Sequence, residues 1–207
     1  MPADPEGPLE PQPRLRHRLF FALFPDAPAR DDVLAGRQGL VQRLGVQARA
    51  SAPERLHVTL VHVGDFAERP DDQIGWWARA AASLDEPPCR ITFDRVSSFR
   101  GRPGHRPCIL LGDPDGTAAV RALQSRLQQA LVREGWPPSG REVFTPHLTL
   151  LYSDAPVADE RFGPVTWLAR EFVLVDSWIG QGRYDVLERW PLRGAPIGAG
   201  RSGPEAQ

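Results

Sequence analysis

Two segments of this chain, Leu56-His57-Val58-Thr59-Leu60 and Pro146-His147-Leu148-Thr149-Leu150, carry the same His-x-Thr-Leu pattern ninety residues apart. Each lies in an apolar run. A strand alternates its side chains between two faces, so each segment would send His and Thr to one side and the aliphatics to the other. Any fold for this chain must therefore accommodate two matched His/Thr pairs, one in each half.

The surrounding elements repeat as well. Residues 18–24 are predicted as a strand closed by Pro25-Asp26, with a helix over about 28–44 and the first His-x-Thr strand over 55–63, stopped by Gly64-Asp65. A helix follows over 70–84, its apolar positions Ile74, Trp77, Ala78 and Ala81 at helical spacing. Strands over 90–99 and 108–111 flank a basic loop, 100–106. The third helix, 117–134, aligns Val120, Leu123, Leu127, Ala130 and Leu131 and ends at Gly135, where a C-cap glycine is expected. The second His-x-Thr strand spans 144–152, and strands over 172–179 and 184–190 flank Gly180-Gln181-Gly182-Arg183 as a closing hairpin. The expected fold is α+β and bilobal, with two antiparallel-rich sheets and flanking helices around a central cleft, related by a pseudo-two-fold. One domain over 14–193 is expected, with mobile tails at 1–13 and 194–207 where Pro, Gly and acidic residues leave little to bury.

Charge and composition exclude several functions. With a net charge of -1 there is no global field to attract nucleic acid, so an anionic ligand must be held by a local cluster of cations. Arginine supplies them all, because the sequence contains no lysine. That rules out a Walker-type phosphate loop, a Schiff-base enzyme and catalysis through a lysyl adenylate. Cys89 and Cys108 have no CxxC spacing and no signal peptide ahead of them, which reads as reduced core thiols in a cytoplasmic protein. Apolar stretches of about eight residues fall well short of the roughly 20 needed to span a bilayer, so no membrane segment is expected.

In these residues the chain resembles the 2H phosphoesterase superfamily, and within it the RNA 2',3'-cyclic phosphodiesterases long labelled 2'-5' RNA ligases. The resemblance rests on 18–23, on 56–60 with Gly64, on Phe144-Thr145-Pro146-His147-Leu148-Thr149-Leu150-Leu151, and on Ser177, Gly182-Arg183-Tyr184 and Leu187-Glu188-Arg189-Trp190. It implies hydrolysis of a 2',3'-cyclic phosphate at an RNA 3' end to a 2'-phosphate, without metal; no cofactor and no protein partner are expected, and a monomer is. Ligation would be the reverse chemistry. It also implies that His57 is the proton donor and His147 the proton acceptor, with Thr59 and Thr149 bonded to phosphate oxygens. Relatives often carry a cation two residues after the second motif. Here that place is Tyr152, which leaves its hydroxyl, or Arg106, Arg141 or Arg183, to meet the phosphate.

The chemistry is consistent on its own terms. In-line opening of a cyclic phosphodiester needs a base on one side of phosphorus and an acid on the other, and imidazoles with an ordinary pKa near 6.5 can fill both places. A hydroxyl two residues from each His can stabilise the phosphate oxygens. His62, an odd number of residues past His57, is expected on the opposite strand face as a structural residue. Zinc bound by both is thereby disfavoured. Arg100, Arg102 and Arg106 form the densest basic cluster, a candidate edge for tracking RNA phosphates, with His105 in the same loop. Phe20 or Phe21 could stack a terminal base, while the tryptophans read as packing. Two other readings stay open: a phosphodiesterase for a small cyclic nucleotide or ADP-ribose cyclic phosphate, and a nucleotide or RNA binding module without turnover.

Overall fold

The structure is a computed structural model that describes residues 14–45, 48–102, 104–137 and 143–194. Its strands are β1 (His17–Leu23), β2 (Ala48–Ala50), β3 (Val58–Phe66), β4 (Cys89–Ser98), β5 (Arg106–Leu111), β6 (Leu148–Ser153), β7 (Glu160–Ala169), β8 (Glu171–Trp178) and β9 (Arg183–Pro191). The helices are α1 (Ala27–Leu44), α2 (Asp71–Ala82) and α3 (Ala118–Arg133). The expected tails at 1–13 and 195–207 lie outside the described residues. Gly194 does not behave as a tail, since its N–H donates to the Glu86 carbonyl at 2.9 Å.

The strands run β7-β4-β5-β6-β3-β1-β8-β9, with β2 beside β6, in one nine-stranded antiparallel sheet. The two expected sheets are therefore continuous, but only just. The β3–β6 seam is a single residue pair, Val58 with Leu148. On either side of it lie four strands in matching order, β3-β1-β8-β9 and β6-β5-β4-β7, and the strand-helix-strand units β1-α1-β3 and β5-α3-β6 correspond. A pseudo-two-fold axis thus passes close to the Val58–Leu148 pair.

The helices tie the halves together crosswise. α1 follows β1 in sequence but packs on β7 of the other half, where Phe162 fills the space left by Gly36. α3 belongs to the second half and packs on β3, and just beyond it Trp136 Nε1 donates to the Val63 carbonyl at 3.2 Å. Asp26 caps α1 by accepting from the Ala29 N–H at 3.0 Å. α3 ends as expected: Gly135 adopts a φ of 89° and Trp136 N–H returns to the Leu131 carbonyl.

β1 is buried on both faces. Leu19, Phe21 and Leu23 enter the main core under the helices, while Phe20 and Ala22 join Val173 and Val175 on the other side. Fully burying a side chain the size of Phe21 stabilises the fold by about 3 kcal/mol.

Both His-x-Thr strands begin later than expected, at Val58 and Leu148, so each histidine sits at the mouth of its strand. The first also continues through Gly64-Asp65 to Phe66, because that stretch still pairs with β1. β2 and β7 went unpredicted. β2 is three exposed residues and β7 contains Gly163-Pro164, so neither has an uninterrupted apolar pattern. Among the described residues no helix is long and apolar enough to cross a membrane.

Candidate active site

Antiparallel pairing of Val58 with Leu148 puts His57 and Thr59 next to Thr149 and His147, with all four on the face opposite the core. The repeat seen in sequence becomes one cluster astride the pseudo-axis. A cavity of about 960 Å³ opens above it, lined by His57, Thr59 and Thr149 and walled by Arg18, Phe20, Arg49, Arg55, His62, His105, Tyr152, Trp178 and Tyr184 among others. Among the described residues no carboxylate belongs to that lining, and His147 is not part of it either. A weakly acidic protein thereby holds an electropositive pocket.

The two imidazoles are fixed alike. His57 Nδ1 lies 2.7 Å from the Arg55 carbonyl and His147 Nδ1 lies 2.7 Å from the Thr145 carbonyl. A carbonyl can only accept, so in both rings Nδ1 carries the proton and Nε2 is left for chemistry. His57 Nε2 accepts from the Thr59 hydroxyl at 3.1 Å. Burial lowers the pKa of both, and that of His57 falls to about 4 because positive charge on His147 and Arg55 adds to the desolvation. Without an anion present, both rings are neutral at pH 7.

Their surroundings differ. His57 stacks on Phe20 at 4.9 Å with 27° between planes, and Tyr184 stands edge-on at 5.7 Å. His147 meets Phe99 edge-on at 4.8 Å. Phe20 lines the cavity but is nearly buried and stacked with His57, while Phe21 is wholly buried against Phe172 and Trp190 and does not line the cavity. The other aromatic residues lining the cavity are Tyr152, Trp178 and Tyr184. Trp178, expected to pack, carries Arg183 4.9 Å over its ring.

His62 requires a correction, since it lines the cavity. Ala22 pairs with Thr59 while Phe21 pairs with Val61, leaving Leu60 as an extra residue, a β-bulge. Leu60 and Val61 consequently both point into the core, and alternation restarts with His62 on the cavity side. β6 has the same device: Leu150 is the extra residue, Leu150 and Leu151 both enter the core, and Tyr152 returns to the cavity. His62 and Tyr152 are thus pseudo-symmetric counterparts. The signal was present in the sequence, where each occupies the fifth position after its motif histidine and follows two aliphatics, a run that strict alternation does not allow.

The arginines are redistributed. Arg106 donates to the Asp154 carbonyl at 2.6 Å, and Arg183 pairs with Asp185 at 2.8 Å. Neither lines the cavity, nor do Arg100 and Arg102, although His105 of that loop does and stacks on Tyr152 at 4.4 Å and 5°. Arg141 lies outside the described residues. Among the described residues the arginines that do line the pocket are Arg18, Arg49 and Arg55, none of them proposed as a phosphate ligand from the sequence. Arg18 is engaged by Asp65 through contacts of 2.8 and 2.6 Å, and His62 reaches the same carboxylate at 2.9 Å. Arg55 lies 4.6 Å over Tyr184, and its Nε is buried with no hydrogen-bond partner among the described residues. Cys89 and Cys108 are free and buried, with burial pushing their pKa values to about 11 and about 12. Among the described residues no group of three His, Cys, Asp or Glu is placed to hold a metal ion.

Known structures share this architecture. LigT of E. coli in its apo form superposes with a TM-score of 0.68 at 25% identity, covering 87% of this chain and 99% of that one. The Thermus thermophilus protein TT0787 does so with 0.64 at 25%, covering 86% and 98%. Usb1 of Kluyveromyces marxianus, at 13% identity and a TM-score of 0.51 over 88% and 100%, shares the fold alone. LigT has also been crystallised with 3'-AMP and with ATP. No curated protein sequence matches the chain. The model of the 2'-5' RNA ligase superfamily matches residues 24–176, most of the chain and both His-x-Thr motifs. The chain belongs to that superfamily, the 2H phosphoesterases, enzymes that act on phosphodiester bonds.

Proposed function

We propose that this protein hydrolyses 2',3'-cyclic phosphate ends of RNA to 2'-phosphates, working as a monomer in the cytoplasm, with His57 and His147 as acid and base. The observation that carries the reading is the symmetric pair of imidazoles at the Val58–Leu148 seam, each with Nδ1–H held by a backbone carbonyl and Nε2 left for proton transfer, beside a pocket that His57 lines and whose described lining holds no carboxylate. His147 Nε2 takes a proton from water as its oxygen attacks phosphorus. The P–O3' bond breaks on the opposite side, and protonated His57 gives its Nε2 proton to O3'. Phosphorus keeps its bond to O2', and the exchange of one proton in and one out leaves a 2'-phosphomonoester.

His57 must acquire a proton that its empty surroundings disfavour. The anionic phosphate supplies the opposite charge that restores it. Thr59, whose hydroxyl occupies His57 Nε2 in the empty site, turns to a non-bridging oxygen when that nitrogen is protonated, and Thr149 does the same from the other strand. The two unbonded, inert thiols accord with a reducing compartment.

The test is incubation, in EDTA, with a short RNA ending in a 2',3'-cyclic phosphate, beside His57→Ala and His147→Ala. Conversion to the 2'-phosphate by the unaltered protein only is the expected result. Equal turnover by either variant would refute the roles, and turnover of a cyclic mononucleotide but not of the oligonucleotide would reassign the substrate.

A further inference from the structure

The pocket's positive charge is unevenly tied down. On the side of the first motif, Arg18 and His62 share Asp65, and Arg55 is packed over Tyr184. On the side of the second motif the lining offers Tyr152, His105 and Arg49. Among these, only Arg49 carries a permanent charge, and among the described residues it has no ion-pair partner.

Its place is set by the backbone. Beyond Leu148, β3 and β6 diverge, and the vacated edge of β6 is taken by β2, whose Arg49 pairs directly with Tyr152. The Ser51 N–H bonded to the Leu150 carbonyl at 3.0 Å extends this pairing, and Arg37 clamps both the Ser51 and Leu150 carbonyls. Residues directly opposed in an antiparallel pair project to the same side. Because the Leu150 bulge returns Tyr152 to the cavity face, Arg49 is carried there with it. His105 covers one face of the Tyr152 ring and fixes it. A guanidinium and a phenol are thus presented side by side above Thr149.

We infer that Arg49 is a phosphate-binding residue, holding the substrate's phosphate oxygens from the second-motif side with Tyr152 as its neutral companion. This rests on the phosphodiesterase reading for its substrate, but the assignment itself concerns any phosphate in the cleft. Charge here acts on binding more than on proton transfer, because Arg49 reaches over from the edge strand while the histidines flank phosphorus.

Arg49→Ala raises KM for the cyclic-phosphate RNA by about ten- to a hundredfold, the range of a charge-assisted hydrogen bond, while kcat moves by less than about threefold. Arg49→Lys recovers part of the loss. Arg49→Ala combined with Tyr152→Arg recovers most of it, since the cation is then offered from the facing strand. Arg106→Ala, whose guanidinium is directed at the Asp154 carbonyl, leaves KM as it was.

Titration with inorganic phosphate, followed through the imidazole Cε1–H NMR signals, gives a second readout that needs no turnover. Loss of phosphate affinity in Arg49→Ala and its return in the double variant support the assignment. Unchanged affinity in Arg49→Ala overturns it. Should the unaltered protein fail to hydrolyse the RNA, the substrate reading falls, and the phosphate titration still decides for or against Arg49.

Discussion

His57 and His147 sit in equivalent backbone cradles, yet the first is enclosed by Phe20, Phe24 and Tyr184 and the second meets Phe99. The scaffold is symmetric where it positions a ring and asymmetric where it tunes one. Equal hydrogen bonds at Nδ1 give the same tautomer twice. Unequal burial and charge then separate the proton affinities, with His57 at about 4. The difference runs against the proposed roles, since the ring with the lower proton affinity is the proposed donor, so it is the charge of the bound phosphate and not the empty pocket that must set which ring carries the proton.

The largest expected effect removes one half of the pair. His57→Ala or His147→Ala lowers kcat by about 10²–10⁴-fold, and the double variant falls by less than the product of the two losses, because donor and acceptor act in one displacement. Single-turnover assays on all three variants would measure this. Simple multiplication of the two losses would mean that the halves act independently.

Acid should expose the asymmetry in stability. A histidine whose folded pKa is depressed takes its proton first in the unfolded chain, so the penalty begins as pH falls through about 6.5 and is complete below the folded pKa. For His57 that window runs down to about 4. Full burial would cost about 1.4 kcal/mol per pH unit across it, and a ring with one edge toward the cleft loses a fraction of that. Urea denaturation at several pH values should show a flatter acid limb for His57→Gln than for the unaltered protein, and a smaller change for His147→Gln. Equal flattening would remove the distinction between the two environments.

The threonines come next. Thr59→Val and Thr149→Val each lose one hydrogen bond to a charged oxygen, which corresponds to about tenfold in kcat/KM. Thr59 is also bonded to His57 in the empty site, so its removal should shift the pH dependence of the rate, whereas removal of Thr149 should not. A pH–rate series on the two valine variants tests that split.

Much of this was legible in the sequence because period and composition carry it. The two motifs, the three helices, the Gly135 cap and the closing hairpin were read within a few residues of their observed positions. What escaped has a common cause. His62 and the cavity-facing Tyr152 depend on bulges at Leu60 and Leu150, and a rule of strict alternation assigns the wrong face to everything beyond a bulge. Arg49 and Arg55 come from a short edge strand and a single 3-10 turn, which have no periodic signature at all. The basic loop was conspicuous because its arginines are dense in sequence, yet Arg106 is turned away onto a carbonyl. Phe20 and Phe21 looked equally eligible because neighbours on a strand differ only in face, and here both faces are buried.

The smallest expected effect makes the two sides of the pocket more alike. Asp65 is held below the usual carboxylate range by Arg18 and is therefore ionised at neutral pH, cancelling charge that Arg18 would otherwise direct at a ligand. Its counterpart side carries Arg49 uncancelled among the described residues. Asp65→Asn keeps the shape and frees that charge. The Arg18 side chain is 52 % exposed, so the lost ion pair costs less than about 1 kcal/mol. Phosphate affinity and 1/KM should rise only a few-fold in dilute buffer, and the gain should vanish near ~0.5 M salt, where screening falls to about 4 Å. A gain that persists at high salt would point to a rearranged pocket and not to charge. No gain at any salt would mean that Arg18 stands too far from the bound anion to matter, leaving Arg49 and Arg55 as the cations that hold it.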